Sequence, residues 1–296
     1  MHYLTEPLHY EFVRHGLIAA TLVGALCGLI GVYVVLRRMA YIGHGMSHSI
    51  FGGAVVGYVL GWNFYLVAGA WGFLSALLIN QVTRRRVVGA DAAIGIVTTA
   101  SFAFGVALIS RAKHFTRNFD AALFGNLLGI TSSDLILIAA TALVLVAVVF
   151  VFYKQLLFVT FDPEVAPAYG VPAQVIDTVF ALILAATIIV SIKIMGVTLI
   201  AASLVIPPVV ARLLANSFGK ILILSTAIGA VSGVAGIYLS YYGNIASGAT
   251  IVLLCSGLFV CVFLGSMLKS LNPWPSAKSR GRPVQRLGLP QDLDID

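Results

Sequence analysis

The chain has 296 residues, about two average domains by length, yet 60% of them are hydrophobic and only 10% charged, where soluble domains carry roughly 25% charged residues. Its mean hydropathy of +1.02 comes from long uncharged blocks, with no Asp, Glu, Lys or Arg in 39–83 or in 221–268, each long enough for two spans of about 20 residues. A soluble globule is excluded, as is an outer-membrane barrel with its alternating strands; the net charge of +7 sits in small groups at the ends of apolar runs, which is loop topology and not a nucleic-acid face.

The N-terminus, with Glu6, Glu11 and only Arg14 for basic charge, lacks the basic start and small-residue cleavage site of a secretory signal, so the first apolar run is expected to remain as a span. That span, 16–36, carries Gly24-Ala25-Leu26-Cys27-Gly28, small residues that let membrane helices approach closely. After Arg37-Arg38 the second span, 43–61, opens on Tyr41-Ile42-Gly43-His44-Gly45-Met46-Ser47-His48-Ser49. His44 and His48 are four apart, which places both imidazoles on one helix face about one turn apart. Two imidazoles suit zinc, copper, nickel or iron better than magnesium or calcium. The plainer alternative is a polar belt at the membrane interface; the small Gly43, Gly45, Ser47 and Ser49, which keep that surface open, favour metal ligation.

Spans 63–82 and 92–110 flank Arg84-Arg85-Arg86 and Asp91, and Asp134 follows Thr131-Ser132-Ser133 just before span 135–153. Both carboxylates read as groups at helix N-termini, favoured there by the dipole. The connection 154–174, with Asp162, Pro163, Glu164, Pro167, Gly170 and Pro172, reads as a short amphipathic helix with turns, either a contact for a soluble partner or an ordinary structured connection. Span 175–194 carries Lys193, expected to snorkel to the interface. Span 196–214 contains Pro207-Pro208, which removes two backbone donors and so frees carbonyls or kinks the helix, and broken membrane helices line cavities. Span 220–240 includes the small-residue run Gly229–Gly236, and 246–265 is the last span. The segment 266–296, with four prolines and Asp292, Asp294 and Asp296 at its end, is expected to be a mobile cytoplasmic tail to a permease domain over 1–265.

These runs predict an all-α polytopic membrane protein, a bundle of eight or nine transmembrane helices. Basic residues follow every second span, which puts the N-terminus outside and the C-terminus in the cytoplasm; the loop 111–120, with Arg111, Lys113 and Arg117, runs against that pattern. Cys27, Cys255 and Cys261 lie in apolar runs and read as packing residues. His2, His9, His15 and His114 read as solvated groups or as groups feeding metal towards a pore. Gly219-Lys220 is followed by Ile221, so there is no phosphate loop, and neither HExxH nor GxSxG occurs. No enzyme activity and no cofactor are expected; energy for uphill transport must come from a partner or an ion gradient.

Five segments in order, Gly31–Gly53, Asp91–Gly105, Leu123–Leu135, Phe161–Gly170 and Gly196–Leu214, resemble the membrane permease subunits of ATP-binding-cassette importers for zinc and manganese. The resemblance implies a dimer of permeases, two cytoplasmic ATPase subunits docked on the inside loops, and an extracytoplasmic binding protein that delivers metal. It assigns 154–174, with Phe161, Asp162, Glu164 and Gly170, to ATPase coupling, and Pro207 and Pro208 to a gating break. It places the family's intramembrane Asp-x-x-x-His metal pair at His44 and His48, with His44 replacing the family's Asp. A His/His pair, doubled across a dimer axis, offers four nitrogens and favours zinc over manganese as cargo. Manganese import by the same type of permease is the alternative. A self-sufficient secondary cation transporter and an intramembrane metalloenzyme are the competing readings, the last lacking a third ligand and a general base.

Overall fold

The computed structural model describes residues 6–84, 89–111, 125 and 129–271. Among them the chain is all helical, with ten α-helices: α1 (Glu11–Leu36), α2 (Ala40–Leu60), α3 (Phe64–Arg84), α4 (Ala90–Arg111), α5 (Ser132–Val151), α6 (Tyr153–Phe161), α7 (Ala173–Met195), α8 (Ile200–Leu214), α9 (Phe218–Gly243) and α10 (Ser247–Leu271). Short 3-10 turns cover Glu6–His9 and Ala166–Tyr169.

The helix ends follow from local chemistry. At the end of α2, Gly61 takes φ 67°, and the amides of Gly61 and Trp62 return to Tyr58 O and Gly57 O, the Schellman closure that satisfies the last carbonyls. The same closure joins α1 to α2, but with Arg38 in the left-handed region at φ 57°. The Arg38 and Met39 amides donate to Val35 O and Val34 O, and Met39 is already the N-cap of α2. Helix α5 starts at a capping box, in which the Asp134 amide donates to the Thr131 side chain and the Asp134 carboxylate accepts from the Thr131 amide.

Seven helices are long and apolar enough to cross a membrane: those within α1, α3, α4, α5, α7, α9 and α10. The nine expected spans all coincide with helices, and two of them fall short for identifiable reasons. Helix α2 has the length, but its histidines, glycines and serines dilute the apolar run. Helix α8 starts only at Ile200 because Gly196, at φ 73°, ends α7 and a turn intervenes. At the other end α10 runs on to Leu271, past the expected limit at Gly265; residues 272–296 lie outside the described residues, as do Arg85, Arg86, His2, His114 and most of the Leu123–Leu135 segment.

Helix α1 is the central post, with 67% of its most apolar window buried, whereas the corresponding window of α10 is 11% buried. Small residues determine the close approaches. Gly24 and Gly229 each lie against the other's carbonyl across the α1–α9 seam, Gly28 lies against Ser225 and Gly233 against Ala20. The Ser225 hydroxyl donates to Gly28 O at 2.7 Å. The two small-residue motifs therefore meet each other within one bundle. Cys27 and Cys255 are buried as expected for packing residues, while Cys261 is exposed on the outer surface of α10.

Candidate functional site

Helix α2 brings the two histidines into edge-to-face contact, with ring centroids 4.6 Å apart at 78°. Glycines let neighbouring helices close around this turn. Gly43 faces Leu204 of α8, and Gly45 faces Ile94 and Thr98 of α4, each leaving no room for a larger side chain without movement. The Ser47 hydroxyl donates back to His44 O at 2.8 Å. His44 is exposed and His48 half-buried, the latter resting edge-on against Phe102 of α4 with centroids 5.1 Å apart. His48 Nδ1 is buried without a hydrogen-bond partner, so its lone pair or proton is not committed to the fold. Among the described residues no third His, Cys, Asp or Glu joins the pair. One copy thus supplies two nitrogens, close enough for one ion with metal–nitrogen distances of about 2.0–2.1 Å to bridge after small rotations.

The expected ATPase-contact residues lie together on one connection. Phe161 ends α6 and is 56% exposed; Asp162 and Glu164 are exposed, and Gly170, at φ 76°, closes the Ala166–Tyr169 turn. Val165 and Tyr169 are also exposed, while Ala166 is fully buried and anchors the turn. Phe218, the first residue of α9, seats α6 on the bundle: its ring meets Tyr33 of α1 at 5.5 Å, Tyr153 at 5.9 Å and Phe161 at 6.2 Å.

Pro207 and Pro208 are buried inside α8, whose helical assignment runs without interruption from Ile200 to Leu214. The carbonyl that Pro208 leaves unpaired in the i−4 position is that of Leu204, and it lies against Gly31 of α1. The freed carbonyl is therefore accommodated by a glycine and not by a break in the helix. Ser203, at the position Pro207 would have bonded, is buried with its hydroxyl unpaired.

Two charge clusters were not anticipated. Lys193 does not reach out to the interface: its ammonium pairs with Asp134 at 2.6 Å and sits 5.2 Å from the Tyr65 ring. The Tyr65 hydroxyl also donates to Asp134, at 2.9 Å, so this one carboxylate caps α5 and ties α5, α7 and α3 together. At the opposite end of α7, Arg37 pairs with Asp177 at 2.8 Å and its Nε donates to Thr160 Oγ1 at 3.0 Å. A sequence signal existed for both clusters. Asp177 is the only acid between 164 and 292, and Lys193 the only Lys or Arg between 154 and 212, and lone charges inside apolar runs need partners.

The fold defines a multi-pass, all-helical membrane protein. Residues 9–266 match the ABC 3 transport family, and the chain belongs to that family. It is similar to the manganese transport system membrane protein MntC of Halalkalibacterium halodurans, 37% identical over 264 residues that cover 89% of this chain and 90% of that protein. It is also similar to the manganese import system permease protein ScaB of Streptococcus gordonii, 32% identical over 259 residues covering 87% and 93%. Among solved structures it resembles PsaBC from Streptococcus pneumoniae in complex with Fab, with a TM-score of 0.81, 29% identity, and 91% and 98% of the two chains covered. An inward-facing ABC transporter at 16% identity and a TM-score of 0.68 shares the fold.

Proposed function

We propose that the chain is the membrane permease of an ATP-driven importer for a divalent transition metal, with manganese as cargo. The observation that carries this reading is its end-to-end similarity to permeases named for manganese transport. That similarity weighs against the zinc preference expected from the donor set alone, because affinity order does not by itself set selectivity in a cell. Zinc remains the second reading, for one reason: the His44–His48 pair offers only nitrogen, where the family's Asp would supply oxygen.

In this reading the chain itself is not an enzyme. Separate ATPase subunits dock on 154–174 from the cytoplasm, through Phe161, Asp162, Glu164 and the turn closed by Gly170. A binding protein delivers metal from the other side, where the N-terminus lies. A second permease copy completes a transient site built on His44 and His48, and the Pro207-Pro208 stretch of α8 gives way during gating. Residues 1–265 form the permease domain, and the remainder is a cytoplasmic tail.

The test is uptake by the complex reconstituted in proteoliposomes with its ATPase and binding protein, scanned over manganese, zinc and iron. Wild type takes up manganese; His48→Ala abolishes uptake; His44→Asp retains uptake and strengthens manganese over zinc. Full uptake by His48→Ala would make the pair an interfacial belt. An unchanged preference in His44→Asp would move metal selection to the binding protein.

A further inference from the structure

We infer that Arg37 is a positioning residue that transmits movement of the 162–172 connection to the histidine-bearing helix α2. The inference rests on the reading of that connection as the ATPase-docking segment. A single guanidinium holds both flanks of the connection: Nε donates to Thr160 at the end of α6 and Nη1 to Asp177 in the first turns of α7. The Thr160 hydroxyl gives its own proton to Leu156 O at 2.6 Å, which leaves its lone pairs turned to Arg37. The cation also lies 4.4 Å from the centroid of the Phe180 ring. The connection cannot shift as a unit without pulling on this one side chain.

The other end of the lever is covalent. Arg37 is the C-cap of α1, and the closure that follows, with Arg38 in the left-handed region, makes Met39 at once the end of that turn and the N-cap of α2. Met39 N–H is bonded to Val34 O and Ile42 N–H to Met39 O, so no flexible linker separates Arg37 from the turn that carries His44. A displacement of the guanidinium therefore moves the α1–α2 corner and not a loose loop.

The cluster also holds unspent hydrogen-bonding capacity. Arg37 Nη2 and, one turn earlier on α1, the Tyr33 hydroxyl are both buried without partners, although Tyr33 is fully inaccessible. A buried donor left unpaired costs about 1–3 kcal/mol, and it gives the guanidinium a second set of bonds to make when α6 moves. Lysine cannot take over this role, because a point charge lacks the planar fork that bonds two partners in fixed directions.

The experiment uses the whole complex in lipid nanodiscs, with the metal-loaded binding protein as stimulus and manganese as the metal, and compares wild type with Arg37→Lys, Thr160→Val and Asp177→Asn. Basal ATP hydrolysis and melting temperature should stay at wild-type values in all three. Stimulation of hydrolysis by the loaded binding protein should fall by at least about five-fold in Arg37→Lys, the low end of ordinary site-to-site coupling, and less in the other two, which each keep half of the clamp. Unchanged stimulation in all three would overturn the inference, and so would basal and stimulated rates falling in the same proportion, which marks a merely structural residue. Spin labels at the exposed positions Val165 and Tyr41 provide a measure independent of the metal: ATP should change their separation in wild type and not in Arg37→Lys, and an equal change in both would overturn the clamp. A wild-type complex that no metal-loaded binding protein stimulates would refute the proposed function instead, and the label distances would still decide the clamp.

Discussion

Replacing Gly229 by alanine tests the packing logic of the α1–α9 seam. An added Cβ would fall on Gly24 O, well inside the 3.0 Å limit that real Cβ atoms respect, with Gly24 C at 2.8 Å. Both obstructing atoms are backbone, so no rotamer change relieves the clash, and the helices must separate by on the order of 1 Å to restore contact distance. Overpacking of this kind costs about 1–3 kcal/mol. Separation also stretches the Ser225–Gly28 bond, now 2.7 Å, and intramembrane side-chain bonds contribute about 0.6 kcal/mol each. Against this, alanine exceeds glycine in helix propensity by at most about 1 kcal/mol, and less where the unfolded chain stays helical in the bilayer. The clash should win, leaving a net loss of about 1–2 kcal/mol. Gly257→Ala in α10 is the matched control, since nothing lies within 4 Å of its Cβ position, and it should be neutral or slightly stabilising. Denaturation in mixed detergent micelles, titrated with SDS, measures both. Because Gly24 and Gly229 oppose each other, the Gly24→Ala, Gly229→Ala double variant should lose less than the sum of its parts. Equal stability of Gly229→Ala and Gly257→Ala would refute the seam as described.

At Gly170 the obstacle is the backbone: the position has open space but φ 76°, and a side chain in that region costs about 1–2 kcal/mol. Gly170→Leu should therefore reduce co-purification of the ATPase while leaving metal binding intact, and Gly170→Asn, which tolerates the conformation, should recover much of it; equal behaviour of the two would refute a conformational cause. Asp134→Ala removes an α5 cap and the acceptor for Lys193 and Tyr65 together, and should destabilise by about 3 kcal/mol. Lys193→Met should cost less, because Asp134 keeps the Thr131 amide, the Thr131 hydroxyl and Tyr65; the same SDS titration checks the order, and a larger loss for Lys193→Met would overturn it.

The helices were legible because apolar runs bounded by charges and turn residues are a one-dimensional signal. The capping role of Asp134 was legible for the same reason, since Thr131 and Asp134 are neighbours in the chain. What the runs do not show is where a helix begins inside a continuous apolar stretch: nothing in 196–214 marks the turn after Gly196 that shortens α8. Partner choice was equally hidden. Lys193 near a span end is ordinarily a snorkelling residue, and only the folding of α7 against α5 and α3 places a carboxylate 2.6 Å away. Arg37 looked like a topology marker because its partners, Thr160 and Asp177, lie more than 120 residues away. The histidine pair was visible as spacing, but two nitrogens do not choose between manganese and zinc, because coordination by one copy is incomplete and selectivity depends on what completes it.

The two charge clusters also determine which parts of the bundle are free to move. Asp177 and Lys193 are sixteen residues apart on α7, roughly 24 Å at 1.5 Å per residue, and each end of the helix is tied to different neighbours. A sliding motion of α7 along its axis would break both ties at once. The ties are unequal. At the Lys193 end the Asp134 side chain is 7% exposed and also bonded to Tyr65 and Thr131, and uncovering such a carboxylate is costly. At the other end the Asp177 side chain is 44% exposed, where ion pairs contribute about 0–1 kcal/mol. A force applied at the 162–172 connection therefore loosens Asp177 from Arg37 before it moves α7. The displacement passes into the α1–α2 corner, and from there into the helix turn that carries His44 and His48.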